Sequence, residues 1–172
     1  VMLGAVHNRD VYRDACLLNL LRLLIARGAP LNEISSYQES ALRVLSRIGR
    51  FDAVSLLLEA GADEVQLQWT PLMRAVAIGT LEDMAGELDA GADLEATDWW
   101  ERTPWLLAIQ TGDIAKARWL LEQGANPEVC GRCQHPPLFY AIECDHADML
   151  EWLIGIGVPI ASTDELGSTA LR

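Results

Sequence analysis

The sequence is poor in positive charge. Its 13 lysines and arginines are outnumbered by 25 aspartates and glutamates, which gives a formal net charge of −12 at pH 7 and a pI of about 4.5. The phosphate backbone of nucleic acids and anionic membrane surfaces both repel a chain this acidic. We therefore expect neither of them as a partner, and a basic protein if the chain has a protein partner.

Long hydrophobic runs are also missing. The longest, CLLNLLRLLIA at residues 16–26, contains Asn19 and Arg22 and is far shorter than the ~20 apolar residues that cross a bilayer. No basic segment leads into an apolar signal sequence, although a start at Val1 leaves a processed, secreted or periplasmic protein open. Four cysteines in 172 residues do not suggest a disulfide scaffold, so the sequence predicts a cytoplasmic protein.

Motifs for catalysis and for nucleotide binding are absent as well. The sequence contains no nucleophile motif, no glycine loop that would cradle phosphate and no metalloprotease helix. Its three histidines, His7, His135 and His146, have no evident catalytic companions. We expect no enzymatic activity and no cofactor.

The chain does contain an internal repeat. A glycine, followed by alanine in all but the last case, recurs at positions 28, 61, 91, 124 and 157, with spacings of 33, 30, 33 and 33 residues. A triplet of the Thr-Pro-Leu type begins at positions 40, 70, 103, 136 and 169, and each of the first four triplets precedes the next glycine by 21 residues. Several series in one register indicate a repeat architecture.

Each repeat reads as two short helices and an extended loop, which we call the finger. Thr70 and Thr103 are suited to cap a first helix, and the proline after each suits its first turn. A glycine at 49, 79 or 112 closes that helix, and the second helix ends at the Gly-Ala step. Because neither helix is stable alone, the units must stack. The sequence thus predicts an all-α solenoid of stacked helix-turn-helix units with finger loops.

These motifs resemble the ankyrin repeat family. The matching segments are TPLMRAVAIG at 70–79, TPWLLAIQTGDIAKARWLLEQGANPE at 103–128 and LLLEAGAD at 56–63. The sequence departs from the family where a histidine often follows Thr-Pro-Leu: the residues there are Arg43, Met73, Leu106 and Phe139. The finger between Gly61 and Thr70 is also three residues short.

We expect residues 1–172 to form one ankyrin-repeat domain. Residues 1–27 are assigned to a degenerate N-terminal cap, and the repeats to about 36–68, 69–98, 99–131 and 132–164. Residues 165–172 then begin a further, truncated repeat.

The resemblance implies a non-catalytic protein-binding module whose partner contacts a concave surface of fingers and first helices. Counting back from each triplet places Trp99, Trp100 and Arg102 on an exposed fingertip. Rigid aromatic and arginine side chains dominate binding hot spots. The candidate contact residues are Tyr37, Trp69, Trp99, Trp100, Arg102, Gln110, Arg132, His135 and Glu143.

Two alternatives remain beside this hypothesis. The tryptophan pair can instead pack down over the neighbouring fingers, beside the shortened one. The module can also be an inhibitor or immunity-type protein that neutralises a cationic enzyme or toxin through its acidic residues. We expect a monomer in either case.

A zinc site is a further candidate. Cys130, Cys133 and His135 provide ligands of the right kind in a Cys-x-x-Cys pattern. Cys144 is expected to lie across a helix from them, and ordinary repeats place any polar residue at these finger positions. The sequence therefore favours solvent-facing residues over a metal site.

Overall fold

A computed structural model describes residues 2–7, 16–160, 164, 165 and 167. These residues contain ten α-helices and no strand, which confirms the predicted all-α repeat fold. The helices are α1 Met2–His7, α2 Leu17–Ala26, α3 Ala41–Arg47, α4 Phe51–Glu59, α5 Pro71–Ile78, α6 Leu81–Asp89, α7 Pro104–Thr111, α8 Ile114–Glu122, α9 Pro137–Glu143 and α10 Ala147–Gly155. None of these helices is long and apolar enough to span a membrane.

The first helix of each repeat begins where the triplets predict. The hydroxyl oxygens of Ser40, Thr70 and Thr103 accept the backbone N–H three residues later, which satisfies an otherwise unpaired donor at the start of α3, α5 and α7. Pro136 takes this position before α9 and has no side chain that can cap. The α9 helix therefore relies on Pro137, whose fixed φ suits the first helical turn.

Contacts between Cα atoms divide the chain into two compact units, Val1–Gln68 and Trp69–Arg172. In the second unit, α5 packs on α6, α7 on α8 and α9 on α10, so each repeat is a helical pair. The first helices also pack in series, α5 on α7 and α7 on α9. This is the stacking that the repeat length predicts.

The first unit follows the same plan. The pair α3 and α4 forms one repeat, with α1 packed on α3 and α2 packed on α4. The helices α1 and α2 thus occupy the places of a first and a second helix. The single-domain assignment and the individual repeat boundaries stay predictions, and most of the final segment 165–172 lies outside the described residues.

Three of the second helices carry two adjacent apolar residues near their end and bury the first of the two. Leu57, Leu120 and Leu153 are fully buried, whereas the apolar residue that follows each of them is partly exposed. Helix α6 buries only Met84. It is held at its start by a capping box, in which Thr80 Oγ1 accepts the Asp83 N–H and the Asp83 carboxylate accepts the Thr80 N–H.

Each described finger bends at a residue with positive φ, and before the last triplet this residue is Gly167, with φ of 74°. Gln38, Gln68, Glu101 and Gln134 have φ of 60°, 52°, 59° and 57°, although none of them is a glycine. The shortened finger keeps this bend by forming a 3₁₀-helix over Glu64–Leu67. Its three missing residues therefore remove length and leave the bend in place.

A buried lysine joins two repeats of the second unit. Lys116 on α8 is 8% exposed, and its Nζ donates to the carbonyl oxygens of Ala75, Val76 and Gly79 at 3.4, 2.8 and 2.7 Å. These carbonyls lie at the end of α5, where a helix runs out of internal donors, although the Ala75 carbonyl also accepts the Gly79 N–H at 2.9 Å. A positive charge there also complements the helix dipole. Burial lowers the pKa of Lys116, and the charge of Asp113 opposes this effect.

Replacing this lysine tests the link between the repeats. Lys116→Met keeps most of the aliphatic length and removes the charged donor from the carbonyls that end α5. We expect the free energy of unfolding to fall by about 1–3 kcal/mol, because buried carbonyls lose their partner. Denaturant titration measures this change. Arg118→Ala, which removes an exposed cation from the same helix, is the matched control and should change stability by less than about 0.5 kcal/mol.

Candidate functional site

The finger at residues 98–102 is a tight hairpin held by one carboxylate. The backbone N–H of Asp98 donates to the Arg102 carbonyl at 3.0 Å. Asp98 Oδ1 accepts the backbone N–H groups of Trp100 and Arg102, both at 2.9 Å. Aspartate forms such local turns because its short side chain reaches the backbone two residues ahead. The tip, Trp99 to Glu101, is therefore fixed by Asp98.

The same carboxylate is paired with a buried arginine. Asp98 Oδ2 accepts Nη2 of Arg102 at 2.6 Å and Nε of Arg102 at 3.0 Å, and also the indole N–H of Trp69 at 3.3 Å. Nη1 of Arg102 donates to Oε1 of Gln110 on α7. The side chains of Asp98 and Arg102 are both 0% exposed. An ion pair so deeply buried persists only when its remaining donors and acceptors are hydrogen-bonded, as they are here.

This burial corrects two predicted contact residues. Arg102 was expected on the exposed fingertip, but it is fully buried, and Gln110 is 1% exposed. The count along the chain gave the correct element for both residues. It could not give the direction of the Arg102 side chain, which turns under the hairpin towards Asp98. Neither side chain is available to touch a partner, and together they join the finger to α7.

Two other fingers have the same hairpin with different chemistry. The Ser35 hydroxyl replaces the Asp98 carboxylate and accepts the N–H groups of Tyr37 and Glu39 at 3.3 and 3.2 Å. Gly131 takes this place in the later finger, and its N–H donates to the His135 carbonyl at 3.0 Å. A Cβ on Gly131 would lie 2.0 Å from the hydroxyl oxygen of Tyr140, so only glycine fits.

The last finger residue contacts the first helix in more than one repeat. Arg102 reaches Gln110 eight residues later, and Glu39 reaches Arg47 over the same separation, with an Oε1–Nη1 distance of 2.6 Å. Glu39 Oε2 also lies 2.8 Å from Nε2 of His7 on α1. Burial raises the pKa of Glu39, but the hydrogen bond with His7 and the charge of Arg47 outweigh it and lower the pKa below its ordinary value. Arg43 donates to the carbonyls of Gln66 and Gln38 at 2.8 and 2.7 Å, so this arginine makes finger contacts where the family often has histidine.

The two adjacent tryptophans, Trp99 and Trp100, lie at the tip of the finger that the Asp98–Arg102 pair holds. Trp99 and Trp100 are half-buried, with ring centroids 4.9 Å apart and planes tilted by 50°. The guanidinium carbon of Arg132, on the next finger, lies 4.5 Å from the Trp100 ring centroid. The tip thus combines both interpretations of the sequence, since the Trp100 ring packs on Arg132 of the next finger and both rings keep part of their area exposed.

The remaining candidates differ in exposure. Tyr37, in the first unit, is 86% exposed, and Arg132 and Glu143 are exposed in the second. Trp69 is half-buried and bonded to Asp98. His135 is half-buried, stacks on Phe139 with centroids 5.1 Å apart, and has Nε2 3.6 Å from a carboxylate oxygen of Asp164.

The cysteines of the predicted zinc pattern do not gather ligands. Among the described residues, no group of three or more His, Cys, Asp or Glu side chains is placed to hold a metal ion. Burial raises the pKa of Cys130. Burial also raises the pKa of Cys144 to about 11, and a hydrogen bond with Gln110 opposes this increase. Both shifts favour the protonated thiol.

The central role of Asp98 was not predicted from the sequence. The available signal was an aspartate at the start of the finger with an arginine four residues later, in DWWER. An aspartate at the start of a turn accepts backbone N–H groups two or more residues ahead. A fully buried arginine in a loop is rare, and no sequence pattern indicated it.

Comparisons with known proteins identify the repeats. A family model described as "Ankyrin repeats (3 copies)" matches residues 79–164, which is half of the chain. The "Transient receptor potential cation channel subfamily A member 1 homolog" of Caenorhabditis elegans is 28% identical over 160 residues. The match covers 89% of this chain and 13% of the channel protein. The chain therefore spans a small part of that relative's length, and the activity of the whole channel does not follow from the match.

Removing the Asp98 charge should destabilise the second unit. Asp98→Asn leaves the Arg102 guanidinium buried without a counter-charge. We expect a loss of about 3–5 kcal/mol in the free energy of unfolding, the usual cost of breaking a buried pair from one side. The double variant Asp98→Asn/Arg102→Met should recover part of this loss, because it also removes the uncompensated charge.

Glu101→Gln is the control for this series. It removes an exposed carboxylate from the same fingertip and should change stability by less than about 0.5 kcal/mol. Equal effects of Asp98→Asn and Glu101→Gln in denaturant titrations would show that the pair does not hold the hairpin.

Proposed function

Because the chain belongs to the ankyrin repeat family, whose repeats are generally protein–protein interaction modules, we propose that it binds a protein partner through its fingers and first helices, without catalysis. The observation that carries this proposal is the tip of the 98–102 finger. Trp99 and Trp100 keep part of their area exposed there, on a hairpin that Asp98 and Arg102 fix from below. A rigid aromatic pair loses little conformational freedom on binding, which favours affinity.

Charge supports a basic partner. From Ala75 to Glu101 the sequence contains no lysine or arginine. Six carboxylates of that stretch are exposed, at Glu82, Asp83, Asp89, Asp93, Glu95 and Glu101. An exposed acidic surface speeds the encounter with a cationic protein and disfavours acidic ones.

The buried residues of the finger have a supporting role in this proposal. Arg102 and Gln110 orient the tip and α7 relative to each other, and the contacts themselves fall to exposed groups. Trp69, His135 and Glu143 remain flanking candidates in the second unit. Tyr37, which is far more exposed than the tryptophans, is a separate candidate in the first unit. The monomeric state and the cytoplasmic location stay predictions.

Capture from a lysate of the source cells tests the tip directly. Trp99→Ala/Trp100→Ala should abolish capture of a partner that the wild-type protein retains, since truncating aromatic anchors costs about 2 kcal/mol or more each. Circular dichroism establishes beforehand that the double variant is folded. The control is Leu23→Ala, which removes an exposed apolar side chain from α2. A folded double variant that captures the partner as well as the wild type does would exclude the tip as the binding site.

The acidic stretch also favours a second candidate, an inhibitor or immunity-type protein that neutralises a cationic enzyme or toxin. Opposite charges on the two proteins would accelerate association and make it sensitive to salt. The two functions differ in what happens to the captured protein. An inhibitor should abolish the activity of its target and lose affinity steeply as salt increases, whereas a scaffold should leave the activity of its partner intact.

A further inference from the structure

The Trp100 ring already holds a guanidinium group. The Arg132 Cζ lies 4.5 Å from the ring centroid, within the ~6 Å over which a cation is attracted to an aromatic face. A planar guanidinium also stacks on a ring better than an ammonium group does. The fingertip therefore displays, within one chain, a contact of the kind that a partner's arginine would make.

Arg132 is held loosely in this position. Its side chain is exposed, and no carboxylate of the described residues forms an ion pair with it. Cation–π contacts at exposed sites are weak. An incoming arginine that stacks on the same ring can therefore displace Arg132 into solvent with little loss of free energy.

The surroundings favour a positive ligand. Arg102, the cation closest in sequence to the tryptophans, is fully buried and neutralised by Asp98, so its charge is not presented to solvent. Glu101 follows Trp100 directly and is exposed, and Asp93 and Glu95 are exposed in the segment that leads to the 98–102 finger. The charge that this finger presents to solvent is therefore negative.

We propose that the 98–102 fingertip binds an arginine-bearing basic segment of a partner protein, and that Arg132 occupies the place of the partner's arginine until binding displaces it. This inference rests on the proposed function and specifies the chemistry of the partner. It also changes the role of Arg132, from a contact residue to an internal competitor. The affinity of the tip is thereby lowered by a residue of the neighbouring finger.

The test is a titration with capped Gly-Arg-Gly-Arg-Gly peptide, followed through the indole N–H signals of Trp99 and Trp100 in ¹H–¹⁵N NMR spectra. Arg132→Ala should tighten binding about two- to fivefold, the factor that corresponds to losing an exposed cation–π contact of about 0.5–1 kcal/mol. Trp100→Leu should abolish binding. The peptide with lysine in place of arginine should bind more weakly to the wild-type protein.

Arg118→Ala is the matched control. It removes the same unit of charge from an exposed position on α8, so it reports how much a basic peptide gains from net charge alone. The gain on Arg132→Ala must exceed the gain on Arg118→Ala. Equal gains, weaker binding by Arg132→Ala or equal affinity for the lysine peptide would each overturn the inference.

The proposed function can fail separately. If neither the wild type nor Arg132→Ala binds the arginine peptide, while Trp99→Ala/Trp100→Ala still abolishes capture of the partner, the inference is wrong and the fingertip remains the binding site. If the folded double variant captures the partner normally, the proposed function itself is wrong.

Discussion

The short length of its helices constrains this whole protein. The described helices have six to ten residues, which is too few for an isolated helix to persist in water. Each helix is stable only because a neighbouring helix covers its apolar face, so stability comes from contacts between successive elements. Lys116 adds a polar link of the same kind, since it satisfies carbonyls at the end of a helix in the preceding repeat. Stability within each unit is therefore shared among neighbouring repeats, and no repeat carries it alone.

The fingers are held by a different interaction. Loops usually keep their charged groups in water, but the 98–102 finger buries an aspartate and an arginine completely. The arginine continues to Gln110, and in the first unit the pair of Glu39 and Arg47 spans the same eight residues. The residue that ends a finger is thus a recurrent place for contacts with the first helix. A fingertip built in this way is rigid before a partner arrives, so that little ordering entropy opposes binding.

Much of the fold could be predicted from the sequence because its signals are local. The hydroxyl caps at Thr70 and Thr103 depend on residues three positions apart, and the spacing of the glycines fixes the length of each helical pair. The fingertip could be predicted only in part. Counting along the chain gives the finger on which the tryptophans lie, but burial of Arg102 depends on the space beneath the hairpin and on an acceptor in the next helix. Such contacts depend on side-chain direction in three dimensions, which a count along the chain does not contain.

The bend of the fingers has a consequence for how recognition can diversify. The bend residues Gln38, Gln68, Glu101 and Gln134 have positive φ without being glycine. Three of these fingers are closed by a hydrogen bond from their first residue, which is Ser35, Asp98 or Gly131. The shape of these hairpins is therefore independent of the side chains at the tip, where Tyr37 in one finger corresponds to Trp100 in another. Mutation can exchange the tip residues while the fold persists. In evolutionary terms, repeats of this kind separate the residues under selection for a partner from those under selection for folding.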